Sequence, residues 1–133
     1  MTDTKQRECG DWPLLTSDEF KEFIKQRPLW TEFEENGVQK IKRKFVCKNF
    51  QCAMDFIVGA GEVAEKKGHH PDLHLTSYRN VEIIIYSHSQ QGITELDFIL
   101  AKEIDEGVEP QYSPKWAREN GLLPQKDAKE AKE

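Results

Sequence analysis

The sequence predicts an α+β fold, in which a four-stranded antiparallel sheet carries helices packed on one face. Helical and strand-like hydrophobic spacings alternate along the chain in the order α-β-β-α-β-β-α. The dipeptide Asn36-Gly37 joins the first two strand-like segments and is a strong signal for a two-residue hairpin turn. Two hairpins with intervening helices are typical of an antiparallel sheet that is covered on one side.

The first helix and the first hairpin have clear boundaries in the sequence. Thr16 and Glu19 form a capping-box pattern, in which each side chain accepts a hydrogen bond from a free backbone amide. We expect the helix that follows to end before Pro28, because the residue before a proline avoids helical geometry. Apolar and polar residues then alternate over residues 30–34, and residues 38–46 return as the second strand.

The second half of the chain repeats this order. Asn49 is a cap for the longest amphipathic helix, and Gly68 suits the left-handed position at its end. Residues 73–76 alternate as a short third strand, and residues 81–88 are the clearest strand because β-branched residues dominate them. A final helix is predicted over residues 94–106.

Composition divides the chain into four segments. We expect a polar N-terminal segment at 1–15, one domain at 16–107, an extension at 108–124 and a charged, flexible tail at 125–133. The extension contains Tyr112 and Trp116, which are too apolar for a free tail. We therefore expect it to pack on the domain as an extra turn or short helix, across a subunit boundary or within the chain.

Charge argues against two classes of partner. The formal net charge is −5 with both signs scattered along the chain, which does not favour nucleic acid or an acidic membrane surface. No apolar run reaches transmembrane length. A basic cluster is interpreted as the solvated face of the second strand rather than a phosphate site; its members are Lys40, Lys42, Arg43 and Lys44.

Cysteine usage and the N-terminus predict a cytoplasmic protein. Cys9, Cys47 and Cys52 cannot all pair within one chain, which favours a reduced compartment, and we interpret them as small apolar groups rather than nucleophiles. The N-terminus lacks a signal-peptide core, and Asp3 and Glu8 argue against a mitochondrial presequence.

Histidine placement is the most informative chemical feature. All four histidines fall within twenty positions; they are His69, His70, His74 and His88. Imidazole has an ordinary pKa of about 6.5, so a cluster can supply both a base and an acid near neutral pH. A helix-to-strand junction and the end of a paired strand can converge on one cleft. From the residues alone, a functional role and a surface position for the adjacent pair both stay open.

Several neighbours bear on these histidines. Pro71 directs the chain after the pair, and either Glu65 or Asp97 could orient an imidazole. His74 stands at a polar strand position and is interpreted as a surface residue. A metal site built on the adjacent pair with a third histidine is a weaker alternative, because neighbouring residues on an extended chain point in opposite directions.

The order of these residues resembles the signature of the pterin-4a-carbinolamine dehydratases, in the branch found in plants and many microbes. The similarity spans residues 30–104, and a composite pattern of well-spaced residues carries it: Glu65, then His69-His70-Pro71, Tyr78, His88 and Asp97. Gly68 and Ser87 depart from the acidic residue and the threonine that members place before the histidines. The segment after Gly107 is longer than the minimal family domain.

The resemblance implies a hydro-lyase that dehydrates a 4a-hydroxytetrahydropterin to the quinonoid dihydropterin, in tetrahydrobiopterin recycling. It implies that His69, His70 and His88 are catalytic, with His70 the leading candidate for the base. It implies no metal or organic cofactor. The residues that it places around the pterin substrate are Trp30, Glu65, Pro71, Ser87 and Asp97.

The resemblance also implies partners. Family members assemble as homodimers or homotetramers, and the activity would link the chain to an aromatic amino acid hydroxylase. A non-catalytic alternative exists, because animal members double as dimerisation cofactors for a transcription factor and some bacterial relatives assist Rubisco assembly. Relatives specialised for assembly tend to lose the catalytic histidines, and this chain keeps all three, which favours an enzyme.

Overall fold

A computed structural model describes residues 13–122 of the 133-residue chain. The helices are α1 (Ser17–Gln26), α2 (Phe50–Lys67), α3 (Glu95–Gly107) and α4 (Pro114–Glu119), and the strands are β1 (Thr31–Glu35), β2 (Val38–Val46), β3 (Asp72–Thr76) and β4 (Asn80–Ile85). All strand pairs are antiparallel, in the order β1-β2-β4-β3. The predicted α+β class and the order of its first seven elements are confirmed.

Helix ends follow the side chains that the sequence supplies for them. The Thr16 hydroxyl accepts from the Glu19 amide at 3.2 Å and the Glu19 carboxylate accepts from the Thr16 amide at 2.9 Å, which confirms the capping box of α1. Asn49 caps α2 by accepting from the Cys52 amide at 2.8 Å. These caps satisfy amides that have no partner within the helix.

The hydrophobic core lies between the helices and one face of the sheet. Buried sheet residues Ile41, Ile83 and Ile85 alternate with half-buried neighbours, so a single face of the sheet is covered. Small residues on α2 allow this helix to approach closely, and Phe56 packs edge-on against Phe45 at 4.8 Å between ring centroids.

The structure corrects the interpretation of Arg43. Lys40, Lys42 and Lys44 share the outer face of β2, but Arg43 has the opposite parity and is only 4% exposed. Its guanidinium donates to Asp105 Oδ1 at 2.7 Å and to the Tyr112 hydroxyl at 2.7 Å. The alternation rule was sufficient to separate this residue from the solvated face.

The last sheet strand is shorter than predicted. β4 ends at Ile85, so His88 lies beyond the strand rather than at its end. Ser87 instead pairs with Gly92 in an isolated bridge, with Ser87 N donating to Gly92 O at 2.8 Å. The chain reverses direction between Ser87 and Gly92, and the backbone groups of these two residues bond each other. These groups are therefore not available to extend β4.

The segment after α3 returns to the end of β2. Lys48 N donates to Gln111 O and Ser113 N donates to Val46 O, both at 2.8 Å. Helix α4 follows, and Trp116 packs on Tyr112 at 5.3 Å between ring centroids. The four-segment division stays a prediction. Leu123, Pro124 and the tail at 125–133 lie outside the described residues.

Two further sequence expectations concern cysteines and membranes. Cys47 is fully buried, and burial raises the pKa of its thiol to about 11, whereas Cys52 is half-buried and Cys9 lies outside the described residues. A thiol with a raised pKa is a poor nucleophile near neutral pH. Among residues 13–122, no helix is long and apolar enough to cross a bilayer.

Candidate active site

A buried polar cluster lies where the end of α2 meets the start of α3. His69 is 3% exposed and Asp97 is fully buried, and His69 Nε2 lies 2.5 Å from Asp97 Oδ1. Because a carboxylate only accepts hydrogen bonds, the ring donates from Nε2. This bond fixes the orientation of the ring and places a proton on Nε2.

Gly68 positions His69 by ending α2. Its φ of 65° lies in the left-handed region, where a residue with a β-carbon is strained. The Gly68 amide donates to Glu65 O and the His69 amide to Ala64 O, so the backbone closes over the helix end before β3 begins. The histidine side chain is thereby turned towards α3.

Thr94 and Ser87 hold the Asp97 carboxylate from its other side. Asp97 Oδ2 accepts from the Thr94 amide at 2.7 Å and from the Ser87 hydroxyl at 2.8 Å. The Thr94 hydroxyl in turn accepts from the Leu96 amide at 3.2 Å, which makes Thr94 the cap of α3. The carboxylate that completes the capping box of α3 is therefore also the partner of His69.

His70 and His88 lie beside this cluster because each is adjacent in sequence to one of its members. His70 follows His69, and His88 follows Ser87, so each is one residue from a side chain that takes part in the Asp97 cluster. Consecutive α-carbons are about 3.8 Å apart, which brings both to the same end of the domain. Both are exposed to solvent, whereas His69 is buried.

His70 and His88 have different neighbours. His70 Nε2 lies 3.0 Å from Glu65 Oε1, and both side chains are largely exposed. The His88 ring instead packs on Tyr86, with 4.2 Å between ring centroids and 40° between ring planes. One buried imidazole and two accessible ones can together bind a polar heterocycle and exchange protons with it.

Pro71 and His74 lie as their positions in the sequence suggest. Pro71 is half-buried, directly after His70 and immediately before β3 begins. His74 is exposed on the outer face of the sheet and pairs across the strands with Glu82.

The structure does not bring Trp30 to the histidines. Trp30 lies just before β1, is 1% exposed and donates from Nε1 to both oxygens of Asp105 at 3.1 and 3.0 Å. Asp105 lies eight residues after Asp97 on α3, which corresponds to about 12 Å along the helix. The Trp30 indole is thus directed to the opposite end of α3 from the cluster.

Asp105 is a largely buried acid that accepts hydrogen bonds from several donors. Burial raises its pKa above the ordinary value, although Arg43, Trp30 and Arg27 favour the ionised form. Arg43 forms an ion pair with Asp105 at 2.7 Å. Both side chains are little exposed, so this is an interior ion pair rather than a surface one. These groups hold the fold together, and they are remote from the histidines along α3.

Sequence reasoning missed Thr94 and Tyr86. Thr94 and Asp97 form a capping-box pattern of the same type as the one at Thr16, so the pattern could have identified Thr94 in advance. Tyr86 gave no comparable signal, since an aromatic residue in a strand is ordinary. Among residues 13–122, no group of three His, Cys, Asp or Glu side chains is arranged to hold a metal ion.

Comparison with known proteins identifies the family. The sequence model described as "Pterin 4 alpha carbinolamine dehydratase" matches residues 13–107. The chain belongs to this family. The match covers the sheet, helices α1 to α3 and every residue of the histidine cluster.

Individual members of the pterin carbinolamine dehydratase family agree. The chain is 36% identical over 111 residues to "Pterin-4-alpha-carbinolamine dehydratase 2, mitochondrial" of Arabidopsis thaliana, covering 80% of this chain and 59% of that protein. It is 38% identical to a putative dehydratase of Nitrosococcus oceani, over 80% of this chain and 96% of the relative.

A solved structure from the family has the same fold. The "transcriptional coactivator/pterin dehydratase" from Brucella melitensis superposes with a TM-score of 0.64 at 31% identity. The alignment covers 73% of this chain and all of that one.

Proposed function

We propose that the protein dehydrates a 4a-hydroxytetrahydropterin to the quinonoid dihydropterin, as a hydro-lyase in tetrahydrobiopterin recycling. The observation that carries the proposal is the His69–Asp97 pair, a buried and oriented imidazole with two accessible histidines beside it. Family membership supplies the substrate class, since the family is named for this pterin chemistry.

The reaction needs only proton transfers. The C4a–O bond breaks as an acid protonates the departing hydroxyl, and a base takes the proton from N5, so that water and the quinonoid product form. His70 is the base in this proposal, oriented by Glu65 at 3.0 Å. His69 and His88 bind the ring and supply the proton to the hydroxyl. No metal or organic cofactor enters these steps.

The remaining site residues have supporting roles in the proposal. Asp97 and Ser87 hold His69, and Pro71 sets the direction of the chain after His70. Trp30 acts at a distance, by bonding Asp105 and so holding the far end of α3.

A kinetic comparison of two histidine variants tests this function. 4a-Hydroxytetrahydropterin is generated in situ, and its dehydration is followed by absorbance at a pH that slows the spontaneous reaction. We expect wild type to accelerate it, and His70→Ala to lose about 10²-fold or more of that acceleration. His74→Ala is the matched control, an exposed histidine four residues away, and should keep the wild-type rate.

Each outcome has a distinct meaning. No acceleration by folded wild type would remove the dehydratase proposal. Acceleration that is equal in His70→Ala and His74→Ala would keep the enzyme and overturn the assignment of the base.

We also propose that the chain forms homodimers or homotetramers in the cytoplasm, in functional contact with an aromatic amino acid hydroxylase. Phe50, Met54 and Val58 support self-association, because they recur every four residues on α2 and are 52%, 37% and 56% exposed. Sedimentation velocity of the full chain would detect the assembly, and a monomer at all concentrations would contradict it.

Cell fractionation of the full chain tests the compartment. The Arabidopsis relative is named as mitochondrial, so recovery of this chain in the mitochondrial fraction would contradict the cytoplasmic proposal.

A further inference from the structure

His88 is held differently from the other two histidines. It lies after β4 in an exposed turn, and within residues 13–122 its imidazole has no hydrogen-bond partner. The hydrogen bonds of this residue come from Gln91, whose amide and side chain both donate to the His88 carbonyl oxygen. The ring itself contacts the Tyr86 ring at 4.2 Å between centroids.

Tyr86 is in turn fixed by the sheet. Lys40 precedes Ile41 on β2 and Tyr86 follows Ile85 at the end of β4, so both lie next to the Ile41–Ile85 pair. Lys40 Nζ lies 4.4 Å from the centroid of the Tyr86 ring. Lys40 is held by Glu35 at 2.8 Å and its side chain is only 13% exposed.

We propose that Tyr86 is the positioning residue for His88, braced by Lys40. The proposal rests on the dehydratase function and adds to it: a carboxylate orients His69 and another orients His70, whereas an aromatic ring orients His88.

The arrangement suits an acid that must reach a departing hydroxyl. The Tyr86 ring lies against the imidazole at 40° between ring planes, and His88 is otherwise exposed, so a substrate could contact it. An exposed histidine without such support samples several rotamers, and proton transfer requires the donor within hydrogen-bond reach. Loss of the ring at position 86 should therefore slow the chemical step more than it weakens substrate binding.

The kinetic test compares substitutions that keep or remove the ring. For Tyr86→Leu we expect kcat to fall at least about 10-fold with KM changed less than about twofold, since misplacement of a reacting group costs rate rather than binding. Tyr86→Phe keeps the ring and should retain kcat within about threefold. Ile84→Ala is the matched control, because Ile84 is a half-buried residue of β4 two positions before Tyr86. It should leave kcat unchanged.

A double-mutant cycle separates positioning from general damage to the fold. If Tyr86 acts through His88, Tyr86→Leu should have no further effect on kcat in a His88→Ala background. An equal fall in both backgrounds would overturn the proposal, because Tyr86 would then act independently of His88. A fall in kcat for Tyr86→Phe as large as that for Tyr86→Leu would also overturn it.

Proton NMR gives a readout that does not depend on activity. The aromatic ring against His88 should shift the His88 ring protons upfield in wild type and in Tyr86→Phe, and the shift should vanish in Tyr86→Leu. The His88 signals are assigned by their loss in His88→Ala. Unshifted His88 protons in folded wild type would overturn the positioning proposal even if the dehydratase is active. An inactive wild type with shifted protons would instead remove only the function.

Discussion

A single carboxylate, Asp97, joins helix capping to the chemistry of the candidate site. One oxygen accepts from His69, and the other accepts from the Thr94 amide and the Ser87 hydroxyl. The group is fully buried, so its hydrogen bonds are stronger than they would be in water, and an unmatched partner there is costly. Replacement of this residue should affect stability and activity by separable amounts.

Asp97→Asn should lower kcat about 10²-fold while costing about 1 kcal/mol of the free energy of unfolding. Asparagine keeps the shape but offers one acceptor and one donor, so it cannot accept from both His69 and the Thr94 amide. The measurements are kcat and the urea midpoint. Glu95→Gln removes an exposed charge from the same turn of α3 and is the control. Equal kcat in the two variants would contradict the role given to Asp97.

At the scale of elements, the ends of α2 and α3 decide where the site lies. α2 ends at a left-handed glycine that has open space around it, and His69 follows at once. α3 begins at the capping box that also receives His69. Local backbone geometry sets both helix ends. The direction in which a substitution there changes the free energy of unfolding can therefore be predicted.

Gly68→Ala should lower the free energy of unfolding by about 1–2 kcal/mol, because alanine is strained at a φ of 65°. Gly107→Ala, at the end of α3, should be neutral or stabilising by up to about 1 kcal/mol, since its backbone is not left-handed and its nearest side chain is at 3.8 Å. Urea unfolding of both variants tests this pair. A loss of equal size in both would contradict the role given to φ at position 68.

At the scale of the whole molecule, a buried network joins parts of the chain that are far apart in sequence. Arg43 on β2 bonds Asp105 on α3 and Tyr112 in the C-terminal segment, and Trp30 also bonds Asp105. Arg27, at the end of α1, reaches Asp105 at 3.6 Å. Hydrogen bonds and ion pairs thus connect the sheet, two helices and the C-terminal segment at one end of α3.

Asp105→Ala should lower the free energy of unfolding by about 3–5 kcal/mol, because it leaves the Arg43 charge buried without its carboxylate. Glu103→Ala removes an exposed acid, 3.6 Å from Lys67, and should change the free energy of unfolding by about 0.5 kcal/mol or less. Denaturant midpoints of the two variants give the comparison. A loss below about 1 kcal/mol for Asp105→Ala would show that Arg43 finds water or another partner.

The sequence by itself determined the elements, because their signals are local. The capping box at Thr16, the turn at Asn36-Gly37 and the cap at Gly68 depend on residues a few positions apart, and all three lie where predicted. The family, which the resemblance of the residue pattern around the histidines already indicated, is confirmed.

Only the tertiary structure decided which side chains meet across elements. The Asp97–His69 bond spans 28 residues, the Trp30–Asp105 bond spans 75, and the Tyr86–His88 packing depends on a turn that ends β4 early. Sequence spacing fixes the face on which a residue lies, but the packing of α3 against α2 and the sheet fixes its partner. Of the two carboxylates that the sequence offered for orienting an imidazole, Asp97 therefore bonds His69. Trp30 bonds Asp105 at the other end of the same helix.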